Sequence, residues 1–260
     1  MSLELLDKTR KINQLLNRQE SDKVDFTDFC RVLSQEMHVN VLLISRKGKI
    51  LGIKERKEIS VIPQLEQVVY GGYLEARVQE RFLNILSTKE NVNLMTLGFD
   101  FDRVHEYQAM VAPVNMAGRR LGTLFLYREN AAFSIDDIIL TEYGTMVIGL
   151  AMQRAESEEE TQELRKEQDV QAAIHTLSRL EAKAMLCVLD EMEGQNEGML
   201  ITSRLADKVG ITRSVIVNAL KKCESAGIIQ TKSSGMKGTN IRIINDFLNY
   251  DMLHGSLNME

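Results

Sequence analysis

At 260 residues the chain is about twice the commonest single-domain length, so two domains are expected. Its 44% hydrophobic and 27% charged composition excludes a disordered chain. Three widely spaced cysteines (Cys30, Cys187 and Cys223), with no CxxC pair, argue against a disulfide scaffold or a cysteine-based zinc site. The N-terminal stretch MSLELLDKTRKINQLL breaks every apolar run with charges, unlike a signal peptide. No segment supplies the roughly 20 apolar residues that cross a bilayer, so the expectation is a cytoplasmic protein without membrane contact.

In chain order, residues 3–18 show a helical period, and a second helix is expected from Asp25 through Met37, with Asp25 as its cap. VNVLLIS, the basic turn RKGK and ILGI predict two strands around Gly48. Residues 62–86 return to a helical period interrupted by Gly71-Gly72, and 87–104 predict only a loop. YQAMVAPVNM (107–116) and RLGTLFLYR (120–128) predict a further strand pair. After Ser134 a long helix begins and runs to about Met152. Helices flanking an antiparallel sheet make this region α+β. Residues 156–169 hold seven acids and two bases without Pro or Gly, the pattern of a solvated helix joining two domains. The boundaries expected are 1–155 for this α+β domain, 156–180 for the helical linker and 181–260 for the last domain.

That last domain begins with a helix over AAIHTLSRLEAKAMLCVLDEM, ended by the Gly194–Gly198 stretch. ITSRLADKVG and TRSVIVNALKKCESAG follow as two helices, then strand, Gly-rich turn and strand. This is the order of a winged helix-turn-helix. Ala206 is small where the two helices must touch, and Gly210 permits the turn. From Met199 to Asn245 eight bases face two acids, a local charge of +6 in a chain whose net charge is −5. A polyanion responds to that local charge within a Debye length of about 8–10 Å. The expected DNA-contacting residues are Thr202, Ser203, Arg204, Thr212, Arg213, Ser214, Asn218, Lys221 and Lys222 on the helices, with Lys232 and Lys237 on the wing. Duplex DNA is the expected partner, and two half-sites imply a homodimer. His38, His105, His175 and His254 are scattered and no GxxxxGK[ST] loop is present, so neither an enzyme nor a metal protein is expected. The competing reading is a nucleotide-binding signalling protein whose winged helix docks a protein.

DKVGITRSVIVNALKKCESAGIIQTKSSGMKGTNIRIIN resembles the C-terminal domain of the CodY family, nutrient-sensing transcription regulators of low-GC Gram-positive bacteria. LLDKTRKINQLL, SRKGKILG, RRLGTLFL and DDIILTEYGTMVIG extend the resemblance toward the N-terminus. It implies a GAF-type sensor for branched-chain amino acids (isoleucine, leucine or valine), a helical linker, and a winged helix that chiefly represses promoters according to nutrient supply. It also implies GTP as a second effector and no covalent cofactor. By resemblance, Thr96, Phe99 and Phe101 line the amino-acid pocket, and Ser45, Arg46, Lys47 and Lys49 form the nucleotide turn. The family's carboxylate-binding arginine falls near Pro63–Gln64, where this chain has none. Arg77 is the substitute assigned here, with Arg81 and Arg103 as alternatives. Ala151 and Ala155 stand where the family carries acidic residues.

Overall fold

A computed structural model describes residues 3–16, 25–235 and 238–257. The chain divides into two compact units, Met1–Ser157 and Glu158–Glu260. Helices α1 (Leu3–Leu16) and α2 (Phe26–Met37) open the first unit. Asp25 caps α2, its carboxylate accepting from the Thr27 amide at 2.8 Å. Strands β1 (Asn40–Ser45), β2 (Ile50–Lys54), β3 (Lys89–Val92), β4 (Tyr107–Met116) and β5 (Arg119–Glu129) form one antiparallel five-stranded sheet in the order β2-β1-β5-β4-β3.

Both faces of that sheet are covered. Leu43, Ala112, Leu124 and Leu126 pack against α1, α2 and the start of α4 (Ile135–His175). Leu42, Ile44, Phe125 and Tyr127 face the segment around Ile59–Leu65, helix α3 (Ala76–Leu83) and the loop carrying Leu94–Phe99. Two-sided burial explains why the inner strands read as nearly continuous apolar runs rather than alternating ones. Gly52 marks the closest approach of α2 to the sheet. A Cβ there would lie 2.7 Å from the Phe26 carbonyl oxygen and 2.8 Å from Cys30 Sγ.

The helical period expected across 62–86 yields only a 3-10 turn at Pro63–Leu65 and the short α3. The physical reason lies in the backbone of residues 71–74. Gly71 donates to Ile50, Gly72 accepts from Ile50, and Leu74 donates to Gly48, so these groups pair beside β2 and cannot close a helix. The loop expected at 87–104 instead contains the edge strand β3 and a 3-10 turn at Leu94–Leu97.

The second unit holds the last turns of α4, then α5 (Arg179–Glu191), β6 (Glu197–Leu200), α6 (Thr202–Val209), α7 (Arg213–Ser225), β7 (Ile229–Ser233), β8 (Thr239–Ile243) and α8 (Tyr250–Leu257). Its sheet order is β6-β8-β7. Val170, Ala173 and Ile174 of α4 are buried in the core of this unit. The helix expected to run through Ile174 to Met192 is interrupted at Thr176–Ser178. There Ser178 and Glu181 exchange the two hydrogen bonds of a capping box and start α5 afresh. Strand β6 and helix α8 are additions to the expected order, and Leu253 of α8 is fully buried in the core.

Gly52→Ala is expected to lower stability by about 1–3 kcal/mol, because α2 must lift off the sheet. Gly255→Ala, on α8 with open space around it, is expected to be neutral or stabilising by up to about 1 kcal/mol. Urea unfolding of both variants followed by circular dichroism checks the contrast.

Candidate nucleic-acid interface

Helices α6 and α7 meet through Ala206, whose carbonyl accepts from the amides of Gly210 at 3.0 Å and Ile211 at 3.1 Å. Gly210 adopts φ +70°, the left-handed conformation that ends α6 and turns the chain into α7. Ile216, Ala219, Leu220 and Cys223 bury one side of α7. The opposite side exposes Arg213, Ser214, Asn218 and Lys221, with the helix N-terminus and its partial positive charge at the Arg213 end. Ser203 and Arg204 are exposed on α6, and Lys232 on β7. Arg204, Lys221 and Lys232 have no ion-pair partner among the described residues. Lys237 lies outside the described residues.

Three expected contact residues sit differently. Thr202 is buried, and its hydroxyl accepts from Arg213 Nε at 3.3 Å, so it orients that arginine from within the fold. Thr212 occupies the N-cap position without a side-chain capping bond; its hydroxyl is shared with that of Ser214 at 2.8 Å. Lys222 does not share the free placement of its neighbours, because its ammonium donates to Glu181 and to the Thr176 carbonyl. Elsewhere in the basic segment Lys208 is paired with Glu191 at 2.8 Å. Glu224 is engaged by the amide and hydroxyl of Thr231.

In the sensor unit, Ser45, Arg46, Lys47 and Lys49 form the β1–β2 turn. The Ser45 hydroxyl accepts from the Lys49 amide at 3.0 Å, which tightens the turn, while the three cations remain exposed. Gln79 of α3, which sequence reasoning missed, donates to the carbonyls of Ser45 and Arg46 at 3.2 Å each. Its own Oε1 is buried without a partner.

Phe99 is fully buried between Phe82 and Phe125, with ring centroids 6.4 and 5.8 Å away. Phe101 packs edge-on against Tyr107 at 5.3 Å. Thr96 is exposed, its hydroxyl donating to the Asn93 carbonyl at 2.7 Å. Arg77 is exposed on α3. Arg81 is spent on the carbonyls of Met95 and Thr96, and Arg103 on Glu106. At the place where the family's arginine falls, Gln64 donates to the Asp100 carbonyl at 2.9 Å and clasps the 3-10 turn to the loop. Asn40 and Tyr127 stand opposite one another across β1 and β5 on the aromatic face. The Asn40 amide nitrogen and the Tyr127 hydroxyl are both buried; burial holds the Tyr127 phenol above its usual pKa, and hydrogen bonding to the Asn40 side chain and the Ile62 backbone opposes that shift.

Among the described residues no three His, Cys, Asp or Glu gather where they would hold a metal ion, and no helix is long and apolar enough to cross a membrane. Burial pushes the thiols of Cys30 and Cys223 up to about 12. Lys222 opposes that shift at Cys223 without overcoming it.

Two family models match the chain: the CodY GAF-like domain over residues 4–176 and the CodY helix-turn-helix domain over 196–254. A Global transcriptional regulator CodY from Caldanaerobacter subterraneus subsp. tengcongensis is 41% identical over 251 residues, covering 94% of this chain and 95% of the relative. A protein of the same name from Clostridium botulinum (strain Okra) is 43% identical over 248 residues, covering 94% and 96%. Among solved structures, the cofactor-binding GAF domain of the nutrient sensor CodY from Clostridium difficile aligns at 30% identity, 58% of this chain, 98% of that one, and a TM-score of 0.42.

Proposed function

The chain belongs to the CodY family, and we propose that it is a DNA-binding global transcriptional regulator controlled by small-molecule effectors. The observation that carries this reading is the exposed face of α7, where Arg213, Ser214, Asn218 and Lys221 meet solvent above a buried apolar side. A helix so held presents its N-terminal residues to base edges in the major groove. Arginine pairs bidentately with guanine and asparagine with adenine, whereas Lys221, Arg204 and Lys232 are suited to phosphates. A homodimer on two half-sites about one helical turn apart would double these contacts.

For the sensor we propose a branched-chain amino acid as effector, on the strength of family membership and of the apolar, aromatic face built by Phe82, Phe99, Phe125 and Tyr127. Such a ligand needs apolar enclosure for its side chain and hydrogen-bonding groups for its charged end. The buried Asn40 amide and Tyr127 hydroxyl supply polar groups on that face, and uncharged Gln64 stands near the place of the family's arginine. GTP is proposed as the second effector, with Arg46, Lys47 and Lys49 holding phosphate charge at the β1–β2 turn. Repression of promoters in the cytoplasm according to nutrient supply follows from the same membership.

Arg213→Ala and Asn218→Ala are each expected to cost about 1–3 kcal/mol on a duplex selected by the unaltered protein from a randomised library, and much less on a scrambled duplex. Fluorescence anisotropy titrations check this; equal affinity of both variants and the unaltered protein for the selected duplex would remove α7 as the reading helix. Isothermal titration of the full-length protein with isoleucine, leucine and valine is expected to give saturable heat. Tyr127→Phe, which deletes only the hydroxyl, is expected to weaken that binding about three- to tenfold. Absence of heat with all three at millimolar concentration would mean that the sensor takes another ligand.

A further inference from the structure

Lys222 departs from the other cations of α7. Its ammonium donates to Glu181 Oε2 at 2.6 Å and to the Thr176 carbonyl at 2.9 Å. Both acceptors belong to the joint where α4 stops and α5 starts. Thr176 directly follows the last residue of α4, so its carbonyl lies at the negative end of that helix, where no intrahelical donor reaches. Glu181 is the carboxylate of the Ser178 capping box, and the same Oε2 accepts from the Ser178 amide at 2.7 Å. Its side chain is only 9% exposed, against 41% for Lys222. One ammonium therefore completes a helix terminus and neutralises a nearly buried carboxylate, and its removal leaves that charge uncompensated.

Other bonds anchor the α4 side of this joint to the rest of the unit. Asn245 donates to the Lys166 carbonyl at 2.8 Å, and Lys166 pairs with Asp246 at 3.2 Å. Lys222 lies one turn beyond Asn218 on the same flank of α7, so the pin holds the C-terminal end of the exposed polar face. Base-edge hydrogen bonds lose strength within a few tenths of an ångström, whereas attraction to phosphate tolerates displacement.

We propose that Lys222 is a positioning residue for DNA recognition: by binding Glu181 and the Thr176 carbonyl it fixes α7 against the α4–α5 joint and so sets how Arg213, Ser214 and Asn218 are presented. The proposal rests on the DNA-binding reading above, and it assigns Lys222 no contact with phosphate.

The test uses the full-length protein with Lys222→Met, Lys222→Arg and Glu181→Gln, the selected and scrambled duplexes, and a salt series. Glu181→Gln keeps an oxygen that can accept from the Ser178 amide, so α5 retains its cap. It carries the comparison, with Lys222→Arg, should Lys222→Met fail to fold by circular dichroism. Lys222→Met and Glu181→Gln are each expected to lower affinity for the selected duplex about tenfold and for the scrambled duplex less than about twofold. The slope of log affinity against log salt is expected to stay unchanged, Lys222→Arg to recover most of the loss, and the double variant Lys222→Met/Glu181→Gln to be no weaker than either single one. A slope reduced by about one in Lys222→Met, with both duplexes weakened alike, makes Lys222 a phosphate contact and overturns the proposal while leaving the DNA-binding reading intact. Unaltered selectivity in Glu181→Gln also overturns it. Failure of the unaltered protein to bind any duplex overturns both.

Discussion

Burial of Ile216, Ala219, Leu220 and Cys223 along one side of α7 is the constraint on which the C-terminal unit turns. A fully buried Ile or Leu contributes roughly 1.5–3 kcal/mol, so the helix has one strongly preferred rotation about its axis. That rotation decides which polar residues are free. Arg213, Ser214, Asn218 and Lys221 emerge toward solvent, and Lys222 is carried round to the α4–α5 joint. Thr202, itself buried, then steadies Arg213 from within the fold, its hydroxyl accepting from the guanidinium. A chain with net charge −5 can thus present a basic reading face without being basic as a whole.

The sensor unit obeys a different constraint. Its sheet is covered on both faces, so each face needs its own layer: three helices on one, and a short helix with loops on the other. Loops and 3-10 turns carry fewer internal hydrogen bonds than helices, and local opening concentrates in such segments. The aromatic face under Ile59–Leu65 and Leu94–Phe101 is therefore the side of the sheet that opens at least cost. The Gln64–Asp100 bond and the buried Tyr127 hydroxyl both lie with this layer.

The two α6–α7 helices were legible in the sequence because their signals are local: Ala206 at the contact, Gly210 at the turn and apolar residues at helical spacing. The β1–β2 and β4–β5 pairs were legible for the same reason. What escaped depends on distant partners. Residues 71–74 have a helical pattern but are claimed by the backbone beside β2. The break at Ser178 carried a capping-box signature, S-x-x-E, hidden within a continuous run of helix formers. Lys222 looks like Lys221 on a helical period, and only the fold reveals that Glu181, 41 residues earlier, claims one and leaves the other. Gln79 and Gln64 carry no motif at all, since an uncharged amide announces neither a ligand nor a turn.

The central claim is that the C-terminal unit reads duplex DNA through a face whose free cations are Arg204, Arg213, Lys221 and Lys232. The most direct test is the salt dependence of equilibrium binding between the full-length protein and a duplex selected from a randomised library. Three phosphate-reaching cations on each chain, Arg204, Lys221 and Lys232, predict a slope of log affinity against log salt of about −2 to −3 per bound chain. A slope shallower than about −1, or no salt dependence at all, would contradict the assignment of this face to DNA.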